Sequence, residues 1–219
     1  MGTRGRRRGQ GQRLRHWVAV KLVVGLGNPG RRYLSTRHNV GFRAAERFAR
    51  RCGIVLDGQR FEGRFGRGQM LAADGESLAV AVLEPQTFMN LSGNSVVEAL
   101  RSLPALEPSR DLLVISDDVD LPFGRLRLRP SGGAAGHKGL AHIIERLGTQ
   151  EIPRLRFGVG RPDVPMETAD WVLRSFSDEE EAQLDERLDE AASTIELALA
   201  QGIAVAMNRF NHDPAANDG

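Results

Sequence analysis

Hydrophobic residues along this 219-residue chain fall into two recurring patterns. Short apolar runs occupy Val20 to Gly25, Leu78 to Leu83, Asp111 to Ser116, Gly124 to Arg129 and Leu155 to Gly160, with a weaker run near Gly68 to Ala73. Runs of this length, bounded by Gly, Pro and Asp, predict strands. Between them apolar residues recur every three to four positions, which predicts helices over Asn39 to Arg51, Ser92 to Leu103, Lys138 to Leu147 and Asp178 to Phe210, with Gly202 placed to break the last. That last helix has a clear start: Ser177 and Glu180 make a capping box, and the acids of its first turn read as a solvated face. Strands alternating with helices over short connections predict a single-domain three-layer α/β sandwich, a mixed, partly parallel central sheet flanked by helices, with no internal repeat.

Charge divides the chain. The formal net charge is +2, yet residues 1–16 hold Arg4, Arg6, Arg7, Arg8, Arg13 and Arg15 and no acid, so the remainder carries 24 basic against 28 acidic residues. A Gly, Gln and Arg segment of this kind cannot build a core, so residues 1–17 read as a disordered extension, residues 18–211 as the folded domain and residues 212–219 as a short tail. The extension fits an arm for nucleic-acid phosphates, an organellar targeting segment or an over-extended translation start; the last is favoured because the folded pattern begins near Val18 to Lys21. A single cysteine, Cys52, excludes an intramolecular disulfide, suits a reducing compartment and lies among core-type residues. No apolar run approaches the roughly 18 residues of a membrane span, so a soluble protein is expected.

The first strand runs into Gly25, Gly27 and Gly30, the glycine spacing of a dinucleotide-binding turn. Pro29 and the stretch after it do not continue as a helix, and no acid stands at the end of a second strand about 20 residues on, so the cofactor reading is disfavoured. His38 falls where the next helix begins, a place that favours the neutral imidazole a general base needs, although a local capping role explains it equally well. The strand before "SDDVDLPFG" delivers Asp117 and Asp118 to its end, with Asp120 just beyond. If it runs parallel to the first strand, Asp117 and His38 share one rim and form a dyad able to activate water; three nearby acids are alternatively a magnesium site. Asn28 and Asn90, in turns at the same rim, each offer an amide to a developing oxyanion or a substrate N–H. Arg125, Arg127 and Arg129 alternate with leucines, and Arg154 and Arg156 alternate with Leu155 and Phe157, which reads either as exposed strands or as faces for phosphates.

Taken together, "VVGLGNPGRRYLSTRHNVGF", "QTFMNLSGNSV", "DDVDLPFGRLRLRPSGGAAGHKGL" and "RFGVGRP" resemble the successive signatures of the bacterial-type peptidyl-tRNA hydrolases, over about residues 20 to 210. The resemblance implies a monomeric cytoplasmic α/β enzyme, without metal or cofactor, that hydrolyses the ester between a peptide and the terminal ribose of tRNA and so recycles tRNA from aborted translation. It implies His38 as catalytic base, Asp117 as its orienting acid, Asn28 as a contact to the peptide main chain, and Met89 and Asn90 as lining of the substrate cleft. Tyr33 is then the aromatic flank, His137 and Lys138 bind substrate, and Arg129 and Arg156 meet tRNA phosphates. Lys138 stands where the family commonly has asparagine. A related fold also serves as a non-catalytic RNA-splicing factor in plastids, so an RNA-binding protein without turnover is the second reading.

Overall fold

The computed structural model describes residues 20–72, 75–103 and 106–211; the expected extension and tail lie outside them. Seven strands form one sheet: β1 (Val20–Gly25), β2 (Gly58–Arg60), β3 (Gly63–Leu71), β4 (Ser77–Pro85), β5 (Leu112–Asp118), β6 (Leu126–Arg129) and β7 (Arg154–Gly158), in spatial order β2-β3-β4-β1-β5-β7-β6. The central β4, β1, β5 and β7 are parallel, and β2, β3 and β6 are antiparallel to their neighbours. The helices are α1 (Val40–Arg51), α2 (Ser92–Ser102), α3 (Pro108–Asp111), α4 (Lys138–Leu147), α5 (Thr168–Val172), α6 (Asp178–Gln201) and α7 (Ile203–Phe210), with single 3-10 turns at Arg31–Tyr33, Arg37–Asn39 and Met89–Leu91.

The three-layer arrangement follows from side-chain alternation in the sheet. Val23, Val82 and Ile115 face one side, where they meet Ala45 and Phe48 of α1 and Leu188 and Ile195 of α6. Leu22, Val24, Leu83 and Val114 face the other, against Val96 and Ala99 of α2 and Leu140 and Ile143 of α4. Burying each such side chain fully stabilises the fold by about 1.5–3 kcal/mol, so the two covered faces hold the central strands in place. Gly202, with φ of 91°, separates α6 from α7, as its position in the pattern predicts. The capping box at Ser177 and Glu180 is formed. The acids of α6 do more than face water, because Glu181, Asp185 and Glu196 pair with Arg43, Arg47 and Arg51 of α1.

One close approach decides where the functional rim forms. A Cβ on Gly25 would lie 2.5 Å from the Gly41 carbonyl oxygen, and one on Gly41 would lie 2.4 Å from the Leu26 carbonyl oxygen and 2.6 Å from that of Ile115. Glycine at both positions lets the start of α1 sink onto the ends of β1 and β5. Of the opening glycines, Gly25 and Gly27 thus serve close approach to α1 and Gly30, with φ of 105°, serves the turn, and the segment after Pro29 forms a 3-10 turn rather than the helix a pyrophosphate would need.

Candidate active site

Because β1 and β5 run parallel, with Gly25 beside Ile115, the loop after β1 and the end of β5 open on the same edge of the sheet. A cleft of about 1140 Å³ lies there, lined by Asn28, Tyr33, His38, Met89, Asn90, Asp117, Arg129, His137, Lys138 and Arg156. All ten site residues that the family resemblance implies thus line one cavity, as is usual outside the carboxyl ends of parallel strands.

Asp117 is buried at the centre of this group, within β5. Its Oδ1 lies 2.7 Å from His38 Nδ1 and 3.0 Å from His137 Nε2. The second contact can be assigned a direction. His137 is the N-cap of α4, and its Nδ1 accepts a hydrogen bond from the Leu140 amide at 3.2 Å. An imidazole that accepts at Nδ1 carries its proton at Nε2, so His137 donates to Asp117. His38 likewise donates from Nδ1, which leaves its Nε2 lone pair for a proton. Burial alone raises the Asp117 carboxyl, but the two histidines outweigh it by charge and hydrogen bonding and hold it well below the ordinary carboxylate range.

The donor set argues against a cation here. His38, Asp117 and His137 place three ligand-type atoms within 4.8 Å of one another. With the Leu140 amide on Nδ1, however, His137 turns an N–H toward the group rather than a lone pair, which a metal ligand requires. Nor do the neighbouring acids converge as a magnesium site needs, because Asp118 is engaged by Arg156 and Asp120 by Arg161.

Asn28 is held by a two-sided fork. Its backbone N–H donates to Asn39 Oδ1 and its carbonyl accepts from Asn39 Nδ2, both at 2.9 Å. Its side-chain Oδ1 accepts the Met89 amide at 2.9 Å, which fixes the amide plane and leaves the Nδ2 donors for a ligand. The contact joins the loop after β1 to the 3-10 turn after β4, where Met89 is buried and Asn90 exposed. Tyr33 is half-buried on the same side, with the Arg32 guanidinium 4.6 Å from its ring centre.

The arginines separate into different roles. Arg127 pairs across β6 and β7 with Arg156, and Arg129 with Arg154, so like charges stand directly opposite. Arg154, expected on an exposed face, is instead 2% exposed. It donates to the carbonyls of Ile152 at 2.8 Å, Gly132 at 2.5 Å, Gly133 at 2.9 Å and Gln150 at 3.1 Å, and so fastens the glycine-rich loop. Arg156 is tied to Asp118, and Arg125 precedes β6 and donates to the Asn211 carbonyl. Arg127 is exposed, and Arg129 lines the cleft. Burial, then the charges of Arg127 and Arg156, draw the Arg129 guanidinium below its usual value. Lys138 is exposed at the first turn of α4.

His142 and Cys52 lie outside this cleft. His142 Nδ1 accepts the Gly93 amide at 3.0 Å. Burial pushes the Cys52 thiol up to about 11, which makes it a poor nucleophile. His16 and His212 lie outside the described residues. Sequence reasoning missed Asn39, which looks like a helix-start residue, and it missed Arg37 and Trp171, whose stack depends on contacts distant in sequence.

Comparison with known proteins bears on this site. A family model described as peptidyl-tRNA hydrolase matches residues 22–218. A curated peptidyl-tRNA hydrolase of Chloroflexus aggregans is 48% identical over 190 residues, covering 87% of this chain and 98% of its own length. One of Symbiobacterium thermophilum is 47% identical over 192 residues, covering 88% and 99%. The crystal structure of a peptidyl-tRNA hydrolase from Acinetobacter baumannii superposes with a TM-score of 0.77 at 35% identity, covering 90% of this chain and 96% of that one.

Proposed function

The chain belongs to the peptidyl-tRNA hydrolase family, an enzyme family whose reaction is hydrolysis of the ester joining a peptide to tRNA, and on that premise we propose how its own residues carry the reaction. His38 is the general base. Its Nε2 takes a proton from water as the water attacks the ester carbonyl, while Asp117 holds the Nδ1 proton and stabilises the imidazolium. Asn90, or a backbone amide of the cleft, stabilises the oxyanion before the tRNA hydroxyl leaves, and the Asn28 amide holds the peptide main chain. Tyr33 and Met89 flank the peptide. His137 acts beside the base through Asp117, which adds to its expected part in substrate binding.

The observation that carries this reading is the short His38 to Asp117 contact, with His137 donating to the same Asp117 Oδ1. Arg129, Arg156 and Lys138 receive the tRNA end, Arg156 exchanging part of its Asp118 pairing for phosphate. No described helix is long and apolar enough to cross a membrane. The enzyme acts as a cytoplasmic monomer and without a metal, in keeping with the committed donors around Asp117.

The non-catalytic RNA-binding reading is not favoured, because the relatives that match over most of the chain are hydrolases. Turnover of N-acetyl-aminoacyl-tRNA by the wild-type protein in excess chelator tests the proposal. Release of the blocked amino acid at an undiminished rate is expected. Salt-sensitive tRNA binding without release would return the RNA-binding reading, and release restored only by a divalent cation would overturn the metal-free mechanism.

A further inference from the structure

One wall of the cleft takes no part in the mechanism above. Thr168, Ala169, Val172 and Leu173 line it, all within or next to α5, which has only five residues. So short a helix does not hold itself in place, and its position depends on what it is tied to. Trp171 Nε1 donates to the Gly160 carbonyl at 2.7 Å. The other ties run to the residues just before His38. Ser35 and Ser175 share a hydroxyl hydrogen bond at 2.9 Å, Thr36 bridges Ser175, and the Arg37 amide donates to the Arg174 carbonyl at 3.0 Å.

Arg37 itself joins the two sides. Its side chain is buried, with the guanidinium 3.7 Å from the Trp171 ring centre and 5.3 Å from that of Phe176. Nη1 donates to the Ser175 carbonyl, and Nη2 meets Glu180 Oε2 at 2.5 Å, the same oxygen that accepts the Ser177 amide in the cap of α6. Arg37 and His38 belong to one 3-10 turn, so a shift of the guanidinium moves the backbone that aims the imidazole. A planar, forked cation can stack and donate at once, which lysine cannot.

We propose that Arg37, stacked on Trp171, is a positioning residue that couples the α5 wall to His38, so that substrate seated against the wall also fixes the base. The proposal rests on the reading of His38 as the base. It makes the wall part of the reaction geometry rather than a passive cover.

Kinetics of Trp171→Leu, Trp171→Phe, Arg37→Lys and the Trp171→Leu/Arg37→Lys double variant on N-acetyl-aminoacyl-tRNA test it, with unfolding temperatures measured alongside. Misplacing a reacting group by about 1 Å can cost about 100-fold, so Trp171→Leu and Arg37→Lys should each lower kcat by about tenfold, with KM changed less. Trp171→Phe, which keeps a ring under the guanidinium, should recover most of the loss. The double variant should be no slower than the slower single one, because both remove one coupling. Unchanged kcat in folded Trp171→Leu, or multiplicative losses in the double variant, would overturn the proposal. Should Arg37→Lys not fold, the contrast between leucine and phenylalanine at position 171 decides it. Failure of the underlying reading shows separately, as turnover that survives His38→Ala.

Discussion

At the end of β5, Asp117 receives hydrogen bonds at 2.7 and 3.0 Å from two imidazoles, one of them fixed by the Leu140 amide. A strand or two away, on β6 and β7, Arg127 stands opposite Arg156 and Arg129 opposite Arg154. In the first region opposed charges and dipoles are matched before any substrate arrives, so His38 keeps one tautomer and one orientation. In the second, like charges face each other, and only Arg154 and Arg156 have their charge absorbed, by carbonyls and by Asp118. Preset short contacts serve bond making and resist salt. Opposed cations are costly until a polyanion joins them, and their attraction acts at a distance and is screened.

Substitutions should therefore divide between kcat and tRNA affinity. Asp117→Asn strikes the matched region hardest. It removes the charge that stabilises the imidazolium and lets His38 adopt the wrong tautomer, so kcat should fall about 10³- to 10⁴-fold while tRNA affinity holds, read by single-turnover hydrolysis beside a binding titration. Arg129→Gln tests the other region. It should raise KM about tenfold, the equivalent of one charged hydrogen bond, and reduce the dependence of log affinity on log salt by about 1, with kcat held. Loss of kcat with an unchanged salt slope would erase the division between the two regions.

Stability should follow the same contrast. Since the folded structure holds the Asp117 carboxyl below its unfolded value of about 3.9, the stabilisation is fully present above that value and is lost as pH falls further. The difference in unfolding midpoint between wild type and Asp117→Asn should narrow on acidification below about pH 4, followed by thermal melts. The smallest effect is expected at Lys138, which is exposed at the edge of both regions. Lys138→Asn should change kcat by no more than about threefold, in line with an exposed substitution; complete loss of turnover would place the lysine in the reaction itself.

The parallel core was legible because strands covered on both faces are nearly continuous apolar runs, as in "KLVVG" and "LLVIS". Where glycines occupy buried strand positions there is less apolar pattern to read. β2 spans only Gly58–Arg60, and the first half of β3 mixes Gly63, Arg64, Gly66 and Arg67, so the strand starts well before the apolar stretch near Gly68. The dyad was legible as well, since strand ends predict where side chains converge. The separate fates of Arg154 and Arg156 were not. They share a strand face two residues apart, and what divides them is a loop with free carbonyls over one and Asp118 beside the other. The Asn39 fork on Asn28 was hidden for the same reason, because a hydrogen bond across a loop leaves no periodic trace.

On the proposed mechanism, His38 does the chemistry and leaves binding to the rest of the cleft. The most direct measurement is single-turnover release from N-acetyl-aminoacyl-tRNA by His38→Ala, together with its affinity for uncharged tRNA. The rate should be lower by about 10²- to 10⁴-fold, the contribution of a general base, with unchanged affinity and an unchanged salt slope. Near wild-type release, or a loss of affinity parallel to the loss of rate, would contradict it.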